Sequence, residues 1–215
     1  LAGEEKRIAQ APQRPSPAVS PRASLVHNHR MAIRKVARMG HPVLRETARP
    51  LSPSDIRTPE LQRMIDDMFE TMAEYQGIGL AAPQVYEGLR LFVAGADEAL
   101  PIGAMSDDAP MPRFALINPE ITMVGRAVEG DWEGCLSIPD IRGQVPRARD
   151  IRVSGFDRTG QRVEFTASGF PARVIQHETD HLDGVLFFDR MRSFETLTFL
   201  EEYQRYWRDE DDNET

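Results

Sequence analysis

A single cysteine, Cys135, in 215 residues leaves no internal disulfide to be made and suits a reducing compartment. No run approaches the roughly 18 apolar residues a membrane span needs, and no apolar stretch near the start resembles a secretory leader. The net charge of −8 argues against a general nucleic-acid binder, and no motif for direct nucleic-acid binding is present. The glycine-rich run over residues 77–84 is not followed by Gly-Lys-Ser/Thr, which excludes a phosphate loop. What remains is a chain whose 40% hydrophobic content suffices for the core of one globular domain.

Charge is unevenly spread. Residues 1–30 carry five basic and two acidic groups, and residues 209–215 carry five acids, so the body stays mildly acidic. Residues 1–30, with Pro12, Pro15, Pro17 and Pro21 and no sustained hydrophobic period, are expected to form a disordered or weakly ordered extension. Its Arg and Ser content leaves organelle targeting open, although Glu4 and Glu5 count against it; the expected location is the cytoplasm. His27 and His29 are given no metal role. Residues 31–208 read as one catalytic domain and residues 209–215 as a solvated acidic tail.

Within the body, Thr58 as N-cap, Pro59 at the first position and Gly77 as terminator predict a helix over residues 59–76. Leu61, Met64, Ile65, Met68, Phe69 and Met72 form its apolar stripe, read as core packing. Strands are expected over residues 89–94, 114–117, 121–128, 151–156 and 162–166, the last two joined by a turn at residues 157–160. Residues 97–112, with three prolines, read as a surface loop. A final helix is expected over residues 193–207, with Leu197, Leu200, Tyr203 and Trp207 on one side.

The chemistry lies in His177-Glu178-Thr179-Asp180-His181. On a helix, side chains at i and i+4 share a face, so both imidazoles can reach one metal ion. Glu178, beside the first, can handle the proton of a water activated there. The run Val174-Ile175-Gln176, with Pro171 and Gly184 as start and stop signals, supports a helix. Two histidines leave a tetrahedral site short of ligands, and Cys135, within Glu133-Gly134-Cys135-Leu136-Ser137, is the thiolate available. The pattern reads as a metal-dependent hydrolase. Taken singly, each histidine reads as a structural residue and Cys135 as a small buried hydrophobe. Three rivals follow: a zinc endopeptidase; a non-catalytic metal-binding module; and a structural pair of histidines holding no metal.

Three segments together, Gly77–Gln84, Glu133–Ser137 and Gln176–His181, resemble the peptide deformylase family, in the family's order and without departure at its defining positions. The likeness extends over roughly residues 31–190 through Asn118-Pro119, Ser137-Ile138-Pro139 and the residues following His181. It implies an α+β fold with antiparallel sheets packed around a central helix bearing the two histidines, plus a helix in the N-terminal half and a C-terminal helix. It implies hydrolysis of the N-formyl group from the initiator formyl-methionine of nascent polypeptides, with release of formate. The metal ligands would be Cys135, His177 and His181. The ion would be Fe2+ in the cell, with Zn2+, Ni2+ or Co2+ able to replace it in a preparation. Glu178 would be the general acid/base, and the oxyanion would be held by the Gln84 amide and the Leu136 N–H.

The resemblance also places the substrate. The wall at Gly77 and Gly79 can stand close to a formyl carbon, and backbone near Ile78, Gly79 and Gly134 can pair with an extended peptide. Trp132, Glu133, Phe170 and Val174 complete the expected contacts, with the methionine side chain in an apolar pocket. Arg173 departs from the aliphatic residue many bacterial relatives carry, and is expected either to narrow the pocket mouth or to point to solvent. Glu133 and Arg147 are an expected ion pair steadying the Cys135 loop. A transient ribosome contact goes with such a substrate, though five acids after the final helix would repel RNA.

Overall fold

Helix formation in the N-terminal half follows the local signals. The computed structural model describes residues 32–96 and 102–208; the expectations for residues 1–30 and 209–215 lie outside them. A short helix α1 (Pro53–Ile56) starts from a capping box between Ser52 and Asp55. Helix α2 (Pro59–Glu74) follows, with the Thr58 hydroxyl accepting from Leu61 N–H and Pro59 in the first turn. It ends two residues before the expected Gln76. Gln76 itself takes the left-handed conformation, the role expected of Gly77, and Gly77 N–H reaches back to the Met72 carbonyl.

Five antiparallel strands form the main sheet: β1 (Gly79–Ala81), β2 (Leu91–Ala94), β3 (Phe114–Met123), β6 (Asp150–Phe156) and β7 (Arg162–Ser168), in that spatial order. Between β3 and β6 in sequence lie β4 (Val128–Cys135) and β5 (Ile138–Ala148), which with β8 (Thr198–Phe199) make a second sheet ordered β4-β5-β8. The histidine pair sits in helix α3 (Gly169–Leu182), and α4 (Leu200–Tyr206) closes the described chain.

The alternation of β2 explains how the layers are held. Leu91 and Val93 face α2, in a cluster with Met64, Ile65 and Met68. Phe92 and Ala94 face the other way, in a cluster with Val174 and Ile175 of α3. Both faces of the strand are therefore buried, which is why it reads as an unbroken apolar run. At the centre of the first cluster Met68 has no exposed surface. Met68→Ala should cost about 2–5 kcal/mol of unfolding free energy, measured by urea denaturation.

Several expectations need correction. The segment at 114–117 and the start of that at 121–128 are one strand, β3, which has a register shift between Ile117 and Glu120 and ends at Met123. Asn118 takes a positive φ at that shift, and its side-chain amide exchanges two hydrogen bonds with the Leu51 backbone. Strand β2 starts at Leu91, since Leu89 is engaged in a separate bridge with Arg49. Residues 102–112 run over the surface at residues 104 and 107–110, as expected, but are anchored at Met105 and Met111, which are buried, with Met105 bridging to Ala167. The final helix begins at Leu200, not at residue 193, because Thr198 and Phe199 pair with Arg142 and Ile141 of β5. Among the described residues, no helix is long and apolar enough to cross a membrane.

Candidate metal centre and its pocket

Helix α3 sets the histidines. The Asp107 carboxylate accepts from the Phe170 N–H at 2.6 Å, supplying an acceptor and a negative charge to the first turn. At the other end Gly184 takes a φ of +72°, and a Cβ there would run into the Arg45 backbone. Val185 N–H bonds to Asp180 O at 2.9 Å, completing the stop one turn after the motif. Between these ends His177 and His181 stack one turn apart, ring centroids 5.0 Å from each other.

Strand β4 supplies the third side chain. Alternation turns Glu133 and Cys135 inward, and the Arg142 guanidinium lies over Gly134 between them, so a side chain there would have to displace it. Donor atoms of Cys135, His177 and His181 all lie within 4.8 Å of one another. Cys135 Sγ is 3.3 Å from His181 Nε2. Two ligands of one tetrahedral ion, bound at ~2.3 Å through sulfur and ~2.0 Å through nitrogen, stand about 3.5 Å apart, so the donor set fits a divalent ion. His177 is fixed in a matching sense. Its Nδ1 contacts Glu133 Oε2 at 2.9 Å, which leaves Nε2 for the ion.

Electrostatics prepare the sulfur. Burial pushes the Cys135 thiol up, but the adjacent His181 and His177 outweigh it and hold it well below the ordinary thiol range. His177 is likewise lowered by burial, yet its contacts with Cys135 and Glu133 leave it raised. Glu133 loses solvation too; Arg147 and then His177 more than compensate and keep it a carboxylate. Arg147 donates from Nε to Glu133 Oε1 at 2.8 Å and from Nη2 to Oε2 at 3.0 Å, the pair expected from the sequence. Arg147 also meets Asp180, which Arg190 binds in turn at 2.7 Å.

Glu178 differs from Glu133. Burial pushes its carboxyl up to about 7, against the opposing pull of His177 and His181, and its Oε2 has no hydrogen-bond partner among the described residues. Gly79 stands directly over it, where a Cβ would collide with the carboxyl. Opposite, the Gln84 side chain is oriented by its own chain: Oε1 accepts from Ala81 N–H at 2.8 Å. The amide nitrogen is thereby turned toward Cys135 Sγ at 3.5 Å and Ser137 Oγ at 3.3 Å.

These groups line a cavity of about 530 Å³ that also takes in Gly77, Ile78, Trp132, Leu136, Phe170 and Val174. The cavity thus gathers every residue named from the sequence as catalytic, metal-ligating or substrate-contacting except His181, which is 1% exposed. Glu133 borders the cavity, but its carboxylate is committed to Arg147, Arg173 and His177. Arg173 borders the cavity, as one of its two expected positions had it, but it does not point to solvent. The side chain is buried and turned away from solvent, toward Glu133 and the backbone of β4 and β5. Two contributors escaped the sequence reading, Asp107 and Asp180. Asp107 is 63 positions from the amide it caps, a separation that no local pattern reveals.

The sequence profile of the family described as Polypeptide deformylase matches residues 33–196. The chain belongs to the polypeptide deformylase family. Peptide deformylase 1 of Bordetella pertussis is 48% identical over 170 residues, spanning 79% of this chain and 93% of its own. Among solved structures, a class I type b peptide deformylase from Acinetobacter baumannii with Met-Ala-Ser bound superposes with a TM-score of 0.68 at 36% identity. That match covers 75% of this chain and 100% of the other. The peptide deformylase from Thermotoga maritima gives 0.65 at 38% identity, covering 77% and 100%. As a member of the deformylase family the chain is a metal-dependent hydrolase with an α+β fold of antiparallel sheets.

Proposed function

We infer that this pocket removes the N-formyl group from the initiator formyl-methionine of nascent polypeptides and releases formate. The observation that carries the reading is the convergence of Cys135, His177 and His181 beside the unpartnered, buried carboxyl oxygen of Glu178. Helix α3 is read as the central helix of the fold. Cys135 Sγ and the Nε2 atoms of His177 and His181 would hold the ion. We assign it as Fe2+ in the cell, with Zn2+, Ni2+ or Co2+ able to replace it in a preparation. A divalent ion so held supplies Lewis acidity, raising the acidity of water and polarising the formyl carbonyl.

The side chains do the rest. Glu178 takes a proton from the attacking water at its free oxygen and returns it to the departing amine; a carboxyl that titrates near neutrality suits both transfers. Negative charge gathering on the former formyl oxygen meets the Gln84 amide and the Leu136 N–H. The peptide has a place to lie. Strand β1 is the edge of the five-stranded sheet and β4 the edge of the other, and both border the cavity. An extended chain can therefore pair with backbone at Ile78–Gly79 on one side and Gly134 on the other. Phe170, Val174 and Trp132 give the methionine side chain an apolar wall. Glu133 acts from behind, through its carboxylate.

The test is formate release from formyl-Met-Ala-Ser by protein prepared without oxygen, with the metal content measured alongside. Release of formate with no cleavage of the unformylated peptide is expected, and the reverse pattern would point to the endopeptidase reading. Gln84→Ala should retain the metal and lose about 10²–10³ in kcat, the usual cost of one oxyanion donor. We place the reaction in the cytoplasm; the ribosome enters as the source of the nascent chain.

A further inference from the structure

Arg173 stands one helical turn before His177 and has no part in the chemistry above. Its side chain is 8% exposed, an unusual fate for an arginine. Nη1 donates to Glu133 Oε1 at 2.9 Å and to the Val145 carbonyl at 2.7 Å, and Nη2 to the Glu129 carbonyl at 2.9 Å. Nε lies 3.7 Å from Asp131 Oδ2. A guanidinium taken so far out of water is tolerated only when its donors are matched, and here they are matched by β4 and β5.

Glu133 already has a cation. Arg147, on β5, grips both carboxylate oxygens, so neutralising the charge does not call for a second arginine. The difference between the two lies in where they stand. Arg147 ties Glu133 to the neighbouring strand of its own sheet and reaches α3 only beyond His177, at Asp180. Arg173 ties it to α3, the helix that bears His177, and does so from position i where His177 is i+4. Oε1 receives Arg173 and Oε2 meets His177 Nδ1, so the two oxygens of one carboxylate bridge a single turn of the helix. A rotation of that carboxylate would swing the imidazole. Phe187, stacked on the His177 ring at 6.4 Å with planes 20° apart, restrains tilt but not rotation within the ring plane.

We propose that Arg173 is a positioning residue: by clamping Glu133 against α3 it fixes the rotation of the His177 ring, so that Nε2 faces Cys135 and His181. The inference rests on the metal-site reading of these three residues and adds a fourth side chain that acts through two others. Partners that orient a ligating histidine usually contribute a factor of 10–100 to metal affinity.

The experiment compares wild-type protein with Arg173→Met and Arg173→Lys. Methionine keeps an unbranched stem along the pocket wall and removes every donor. Lysine keeps the charge but offers one ammonium in place of a planar fork. Zn2+ affinity is read by competition with a chromophoric chelator, and ligand geometry by the visible absorption of the Co2+ form. Arg173→Met should bind Zn2+ about 10–100-fold more weakly, with displaced Co2+ bands. Its KM for formyl-Met-Ala-Ser should stay within about twofold, since Arg173 bonds to none of Glu178, Gln84 and the backbone at Ile78–Gly79 and Gly134. Arg173→Lys should fall between the two. Should circular dichroism show Arg173→Met unfolded, Arg173→Lys alone decides.

Folded variants with wild-type Zn2+ affinity and Co2+ spectrum would overturn the proposal. So would a raised KM with unchanged metal affinity, which would make Arg173 only a wall of the substrate pocket. If wild-type protein releases no formate, the deformylase reading fails, whereas the affinity and the spectrum still decide the role of Arg173.

Discussion

Glu178→Gln should lower formate release about 10²–10⁴-fold while leaving the metal in place, the range expected when a positioned acid/base is removed. Glutamine keeps the shape that fits beneath Gly79 but can neither accept the proton of water nor hand it to the amine. The ligand atoms are untouched: Glu178 is adjacent to His177 in sequence, yet it is not one of the three donors that converge. Metal content measured beside single-turnover kinetics separates the outcomes. A variant that stays within tenfold of wild type would show that the proton moves through another group.

The same substitution has a consequence for stability that can be read in metal-stripped protein. Burial raises the Glu178 carboxyl from 4.5 to about 7. A carboxyl raised on folding favours the folded state fully below its unfolded pKa, and that contribution is lost as pH rises through the folded one. Wild-type protein should therefore lose stability relative to Glu178→Gln between about pH 4.5 and 7, by on the order of 1–3 kcal/mol. Above that window the difference should level off. Urea unfolding of both proteins at pH 5 and pH 8 checks the sign; a difference that grows in the opposite direction would mean Glu178 is already ionised when buried.

Helices α2 and α3 were legible because their signals are local. Thr58 and Pro59 start one; Gly184, forced into a left-handed conformation against the Arg45 backbone, stops the other. The second sheet was not legible. Strands β4 and β5 contain Gly130, Gly134, Gly143, Pro139 and Pro146, with charged Glu129, Asp131 and Asp140 among their exposed positions, so no run of alternating apolar residues announces them. What makes them strands is their pairing with each other, Val128 with Ala148 through Glu133 with Gly143. The final helix failed for the same reason in reverse. An apolar stripe from Leu197 to Trp207 suits a helix, but the free edge of β5 takes Thr198 and Phe199 as a strand first.

The candidate site divides along a similar line. Three short motifs carry the residues expected to do chemistry at the cavity, since each motif is dictated by chemistry within a few positions. The residues that hold them in place come from far off: Glu133 is 40 positions from Arg173, and Asp180 is 33 from Arg147. Arg173 shows why such residues are misread. On a helix wheel it is a cation four residues from a histidine, which suggests solvent or a pocket mouth. Only the return of β4 and β5 behind α3 supplies the carbonyl and carboxylate acceptors that let it be buried.

His181→Ala should abolish stoichiometric metal binding and reduce formate release to background while leaving the fold intact. The first half follows from ligand count, because Cys135 and His177 alone cannot complete three of four tetrahedral positions. The second follows from what the imidazole does besides. Its Nδ1 has no hydrogen-bond partner among the described residues, and its Nε2 meets Cys135 Sγ, a group that can take up a proton when the ring is removed. Alanine is also the best helix former, and position 181 lies inside the last turn of α3. His177→Ala is the instructive contrast, since it would deprive Glu133 of a partner and leave two buried arginines around a rearranged carboxylate. Metal analysis with thermal unfolding of both metal-stripped variants should therefore find His181→Ala near wild type in Tm and His177→Ala well below it. Loss of His181 should also raise the Cys135 thiol, which the neighbouring imidazole otherwise holds down, and slow its alkylation at neutral pH. Retention of one tightly bound ion by His181→Ala would show that the ion sits elsewhere.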